Sequence, residues 1–134
     1  MQRRGFLVSL GAAGGLWLGW PARARAELAL AGPRQSADRL VAVFSQRTSA
    51  AAVGRAYLAG HPDEGAIDHL VTELRAALRQ CDCDPDCADL STLRVATSRL
   101  VKEDFARSRV VRVDGWVLSR SEARLCGLAA LLDA

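Results

Sequence analysis

The chain has 134 residues, half of them hydrophobic, with 18 basic and 15 acidic side chains, two histidines and four cysteines. Four of the bases, Arg3, Arg4, Arg23 and Arg25, precede residue 27, which leaves 14 bases against 15 acids over residues 27–134. That balance does not support a nucleic-acid surface, which expects a clustered basic stripe, and Phe44, Tyr57, Phe105 and Trp116 leave little for stacking bases.

The amino end reads as an address. Arg3-Arg4-Gly5-Phe6-Leu7 opens an apolar stretch that Gly5, Gly11, Gly14, Gly15 and Gly19 keep weakly hydrophobic, and Pro21 stops it before Ala22-Arg23-Ala24-Arg25-Ala26. From Phe6 to Trp20 it falls short of the roughly 20 apolar residues that a spanning helix needs. An arginine pair, one variable residue and Phe-Leu before a soft apolar segment resembles a bacterial twin-arginine signal peptide, over residues 1–26 only. Arg23 and Arg25, just before the cut, disfavour the ordinary secretory channel. The resemblance implies folded export through the twin-arginine machinery and cleavage after Ala26, with Ala24 as the second choice. A periplasmic or exported product with no stable membrane span after cleavage follows.

Residues 27–35 lack periodicity and predict a flexible lead-in, and residues 36–134 then form one domain. Ser36 is the expected N-cap of a short helix carrying Leu40, Val41, Val43 and Phe44. Ser49 is expected to cap a second helix, Ala50 to Ala59, ending at Gly60-His61-Pro62. Asp63 would cap the clearest helix, Glu64 to Arg79, with Ile67, Leu70, Val71, Leu74, Ala77 and Leu78 on one arc. A fourth starts at Ser91 and runs to about Arg107, with Leu93, Ala96, Leu100, Val101 and Phe105 inward.

Between Arg109 and Leu118 the pattern becomes β-branched and aromatic around Asp114-Gly115, the strongest two-residue hairpin signal. Trp116 is expected to lean on the helices as a core plug rather than to form a binding platform. Ser119-Arg120-Ser121-Glu122 predicts a capping box for a last helix reaching Leu132, its face made by Leu125, Leu128, Ala129 and Leu132.

The chemistry-bearing residues are Cys81, Cys83 and Cys87, in a loop between two amphipathic helices, and Cys126. An even cysteine count in an exported chain favours disulfides; Cys83–Cys87 would span a turn and Cys81–Cys126 would tie the loop to the last helix, two other pairings exist, and the one with Cys81–Cys83 is the least favoured because so small a ring is strained. The alternative is a copper or zinc site on the four thiolates, although the spacing matches neither zinc-ribbon knuckles nor common ferredoxins. Asp82, Asp84 and Asp86 copy the first three calcium-ligand positions of an EF-hand, but Cys87 stands where glycine is required and Leu93 where the bidentate glutamate belongs.

Catalytic patterns are thin. His69 is expected to pair with Glu73 in solvent, and His61 to be a cap or loop residue. No phosphate loop, Gly-x-Ser-x-Gly or His-Glu-x-x-His occurs. Asp104 falls near the apolar stripe of the fourth helix and needs a partner, for which Arg107, Arg109, Arg112, Arg120 and Arg124 are near in sequence; a structural ion pair is the expected role.

The sequence thus predicts a mainly α fold of about five helices with one short hairpin near the C-terminal end. Its expected role is an exported accessory or protein-interaction domain of the cell envelope, without catalytic activity or cofactor, carried out with a cofactor-bearing protein partner. A small metal-binding protein is the alternative.

Overall fold

Five α-helices and one two-stranded antiparallel sheet make up residues 22–134, the part of the chain that the computed structural model describes, with side-chain environments from residue 32 onward. Arg3, Arg4, Phe6 and Leu7 lie outside the described residues. The chain divides at Gly32/Pro33, and the second unit, Pro33–Ala134, is the domain considered below. In order come α1 (Ala22–Val41), α2 (Arg47–Gly60), a 3-10 turn (Pro62–Glu64), α3 (Ile67–Gln80), α4 (Leu90–Ala106), β1 (Val110–Val113), β2 (Trp116–Ser119) and α5 (Arg120–Leu132). The architecture is mainly α, with the hairpin near the C-terminal end. No helix among the described residues is long and apolar enough to cross a membrane.

Three expected starts are corrected. Residues 27–35 continue α1 instead of forming a lead-in, since the Leu-Ala run before Gly32 consists of strong helix formers. Ser36 is therefore inside a helix, and its buried hydroxyl serves a tertiary contact instead of a cap. α2 begins at Arg47, before Ser49, whose hydroxyl only reaches back to the Gln46 side chain. The segment after α2 first makes a separate 3-10 turn with Pro62 at its start, so α3 begins at Ile67 and Glu64 is released from the helix that Asp63 was expected to cap.

α3 buries the face that its spacing predicts. Leu70, Val71, Leu74 and Leu78 are in the core with Ile67 and Ala77 packed beside them. Six leucines, Leu40, Leu70, Leu74, Leu78, Leu93 and Leu128, are almost wholly withdrawn from water, each contributing about 1.5–3 kcal/mol. The exposed pairs of Arg47 with Asp38 and Asp133 span 3.9 and 3.5 Å and contribute about 1 kcal/mol or less. The core dominates.

α5 is the hub. It packs against α2, α3, α4 and both strands and buries Leu125–Ala130 without interruption, together with Ser121, Ala123 and Leu132. That is much wider than the four-residue face its spacing predicts, because neighbours on several sides leave only Arg120 exposed and Glu122, Arg124 and Leu131 partly buried. Against α2 the approach is closest at Gly54, where a Cβ would stand 1.9 Å from the Cys126 carbonyl oxygen.

β1 and β2 pair from Val110↔Ser119 to Val113↔Trp116, and both turn residues, Asp114 at φ 48° and Gly115 at φ 83°, take the left-handed conformation of a type I′ turn. Val113 joins Tyr57 and Ala123 in a small second core, with Val111 and Leu118 beside it. Trp116 does not join it. At 75% exposed it is no core plug, because it sits at the turn end of β2 with only the small Val113 opposite. Phe105 is likewise exposed: Asp104 takes the inward position, and the next residue lies about 100° further round the helix.

Ser119 caps α5 as expected, its hydroxyl accepting from the Glu122 N–H at 2.9 Å.

Candidate functional site

The cysteine loop is built as connecting structure. At the end of α3, Asp82 takes a left-handed conformation at φ 57°; its N–H donates to the Arg79 carbonyl at 3.1 Å, and the Cys83 N–H to the Leu78 carbonyl at 3.0 Å. Those two bonds make a Schellman cap, in which the residue after the left-handed one is apolar and packs back on the helix. The Cys-x-Cys spacing thus puts two small hydrophobes on either side of the cap. Cys81 and Cys83 belong to the main core, as does Cys126 of α5.

The acids of the loop are engaged too. Asp84 accepts from the Asp86 N–H at 3.0 Å, and Asp89 caps α4 through the Thr92 N–H at 2.7 Å. Asp86 accepts from the Ser36 hydroxyl at 2.7 Å and from Arg75 Nη2 at 3.3 Å, while Arg75 Nε, 3.0 Å from Oδ2, pairs electrostatically but lies out of line for a hydrogen bond. From α1, Arg39 donates to the carbonyls of Pro85 and Ala88. Ser36, Arg39 and Arg75 together pin the loop to α1 and α3. The Ser36 hydroxyl and the Arg75 guanidinium hold the Asp86 carboxyl below its usual range despite partial burial.

All four cysteines are free thiols, so neither Cys83–Cys87 nor Cys81–Cys126 is bridged in this structure. Burial raises the pKa of Cys81, with Glu103 adding to it, and of Cys83, with Asp84 adding to it; Cys126 is pushed up to about 12 by burial and the nearby Glu122. Thiols so placed stay protonated at neutral pH, and the thiolate is the form that attacks or ligates. Cys87 alone is exposed. Among the described residues, no group of three or more His, Cys, Asp and Glu is placed to hold a metal ion.

Asp104 is 2% exposed and joins three elements. α4 ends in a second Schellman cap, with Ser108 left-handed at φ 56° and the Arg109 N–H donating to the Asp104 carbonyl at 2.8 Å. The cap folds Arg109 back so that its Nε donates to Asp104 Oδ1 at 2.8 Å. The other oxygen accepts from the Ser121 N–H at 2.9 Å, at the start of α5, where a negative charge also complements the helix dipole. Burial pushes this carboxyl up, but Ser121 and Arg109 outweigh it and leave it below the ordinary range. Asp104→Asn is expected to cost about 1–2 kcal/mol, since it keeps the shape but loses the charge at both partners; urea unfolding at neutral pH checks this.

The buried cluster that the sequence did not reveal is Tyr57–Glu64–Arg124, with the half-exposed Glu73 at its edge. Glu64 is 8% exposed. It accepts a short hydrogen bond from the Tyr57 hydroxyl and a bidentate pair from Arg124, Nη2 to Oε1 at 2.7 Å and Nε to Oε2 at 3.1 Å. Arg124 Nη1 also donates to Glu73 at 3.2 Å. Burial raises Glu64, but Arg124 and Tyr57 pull its carboxyl below normal, while burial and the Glu64 hydrogen bond raise Tyr57. His61 stacks on the Tyr57 ring with centroids 4.4 Å apart; its Nδ1, 3.0 Å from the Tyr57 carbonyl oxygen, must carry the proton. His69 remains exposed, and Glu73, its expected partner, faces Arg124 instead. Residue spacing gave no signal of this cluster, because Glu64 and Arg124 stand 60 positions apart.

An apolar groove of about 450 Å³ lies between α2 and the hairpin, lined by Ala52, Val53, Val113, Asp114, Trp116 and Leu118. Trp116 is exposed on its hairpin wall and Val53 on its α2 wall. Large apolar side chains gathered at the surface mark contact sites more often than scattered ones do, and tryptophan is among the residues that most often dominate interfaces. Comparison with family models, with curated proteins and with solved structures finds no match to this chain.

Proposed function

We infer that this chain is a small exported accessory or protein-interaction domain of the cell envelope, without catalytic activity, and that its contact surface is the groove between α2 and the hairpin. The observation that carries this reading is Trp116, 75% exposed at the start of β2, where it lines the groove with exposed Val53. A large rigid aromatic held in water costs solubility and contributes nothing to the core, so its value lies in binding. The paired arginines of the leader support folded export, and a co-exported protein presenting an apolar segment is the partner that suits the groove. In the alternative of copper or zinc on the four thiols, Cys81, Cys83 and Cys126 would have to leave the apolar core in which they are packed.

Trp116→Ala is expected to leave urea stability within about 0.5 kcal/mol, as an exposed substitution does, while removing the contact. A photo-crosslinking residue at Val53 should give a discrete protein adduct in cell envelopes, and Trp116→Ala should abolish it. An adduct that survives Trp116→Ala, or none at all with the protein folded, would overturn the groove as the contact surface.

A further inference from the structure

Charge is segregated along this domain. Residues 61–89 hold eight acids against two bases, and residues 94–120 hold seven bases against three acids. Of those three acids, Asp104 is buried against Arg109, and Glu103 is half-buried on the core side of α4 with the Cys81 thiol 4.0 Å away. The outward half of α4 therefore carries no acid. It presents Arg94, Arg99 and Lys102, all exposed. Among them stand Val95, 64% exposed, and Phe105, 47% exposed. A single exposed valine means nothing. Two large apolar side chains on an acid-free cationic helix face have the composition of a helix that lies in a lipid interface.

We propose that the outward face of α4 docks on an anionic lipid bilayer, with its cations against the headgroups and with Phe105 and Val95 entering the interface. Charge complementarity selects this occupant. The domain as a whole is electrically balanced, yet this one face is unbalanced and flat along about 17 residues of helix, which suits a continuous anionic plane. The face is separate from the groove beside Trp116, so the two readings stand or fall independently.

The test uses the full chain as recovered from cells, co-sedimented with vesicles of phosphatidylglycerol and phosphatidylethanolamine, and with phosphatidylcholine vesicles as the neutral arm. Partition into the anionic vesicles should exceed that into the neutral ones and weaken as salt is raised. The triple variant Arg94→Gln, Arg99→Gln, Lys102→Gln should lower it at least about tenfold, since each cation near an anionic surface contributes severalfold. A control with the same loss of charge elsewhere, Arg34→Gln, Arg55→Gln, Arg79→Gln, should leave it nearly unchanged, and Phe105→Ser should weaken it while keeping the salt dependence. Because the leader is common to all variants, equal partition of the two triples would overturn the proposal. So would a vesicle-free self-association that the α4 triple disperses, which would assign the face to the acidic segment of a second copy.

Discussion

Gly54→Ala is expected to destabilise the domain by at least about 2 kcal/mol, visible as a fall in Tm of roughly 10 °C or more. The added methyl group would stand 1.9 Å from the Cys126 carbonyl oxygen and 2.8 Å from the Gly127 nitrogen. Both are backbone atoms of the central helix, so no rotamer change relieves the clash and α2 must move away from α5. Alanine in a helix interior normally gains about 1 kcal/mol over glycine, which the overlap reverses. Two other glycines calibrate the effect. A Cβ at Gly127 meets the side chains of Leu70, Leu58 and Tyr57 at 3.3–3.5 Å, which can shift slightly, and Gly127→Ala should cost less. Gly60, at the end of α2, has nothing within 4 Å, and Gly60→Ala should leave Tm unchanged or slightly raised. If Gly54→Ala melts with the parent, the close crossing of α2 and α5 is wrong.

The second large effect is expected at the buried ion pair. Arg124→Ala strands Glu64 with only the Tyr57 hydroxyl as partner, and loss of one member of a buried pair costs about 3–5 kcal/mol. The lower end suits this site, because the Arg124 and Glu64 side chains keep 17% and 11% of their surface in water. The double variant Glu64→Leu/Arg124→Met should be less destabilised than the sum of Glu64→Leu and Arg124→Met measured singly, since it leaves neither charge unpaired. Additive single effects in urea unfolding would show that the two side chains do not interact.

The same cluster sets a pH dependence. Glu64 and Asp104 both have folded-state pKa values below the ordinary carboxyl range. A lowered folded pKa means that the unfolded chain binds the proton more readily, so the stabilisation is present above the unfolded values of about 4. It is lost as pH falls through the folded values. Urea midpoints should therefore decline below about pH 4, and less steeply in the Glu64→Leu/Arg124→Met background. An identical acid limb in that background would remove Glu64 from the account.

Much of the local structure was readable from neighbouring residues. The arc of α3, the Asp114-Gly115 turn and the Ser119 cap depend on residues within a few positions of one another, where spacing and backbone preference decide the outcome. The end of α2 at Gly60, before Pro62, is of the same kind. The inward placement of Asp104 was legible too, because helical spacing fixes which residues share a face; its choice of Arg109 over four other arginines came from the left-handed Ser108, which no pattern announced.

Other assignments needed the folded chain. Ser36, Ser49 and Asp63 have the side chains of N-caps, but capping is decided by which competing contact is better, and Ser36 found Asp86 across the domain. The cysteine loop drew attention for its thiols and acids, yet the fold uses Cys81 and Cys83 around a helix cap and spends the acids on capping and pinning. Arg124 reaches Glu64 across 60 positions and the α2–α5 crossing brings Gly54 to Cys126, separations over which periodicity carries no information.

The amino-acid sequence by itself determined the helical class, the hairpin and its turn, because hydrophobic period and backbone preference act over short range. Only the tertiary structure decided which polar groups are buried together, which thiols stay protonated, and that Trp116 faces water, because each depends on what the rest of the chain brings alongside.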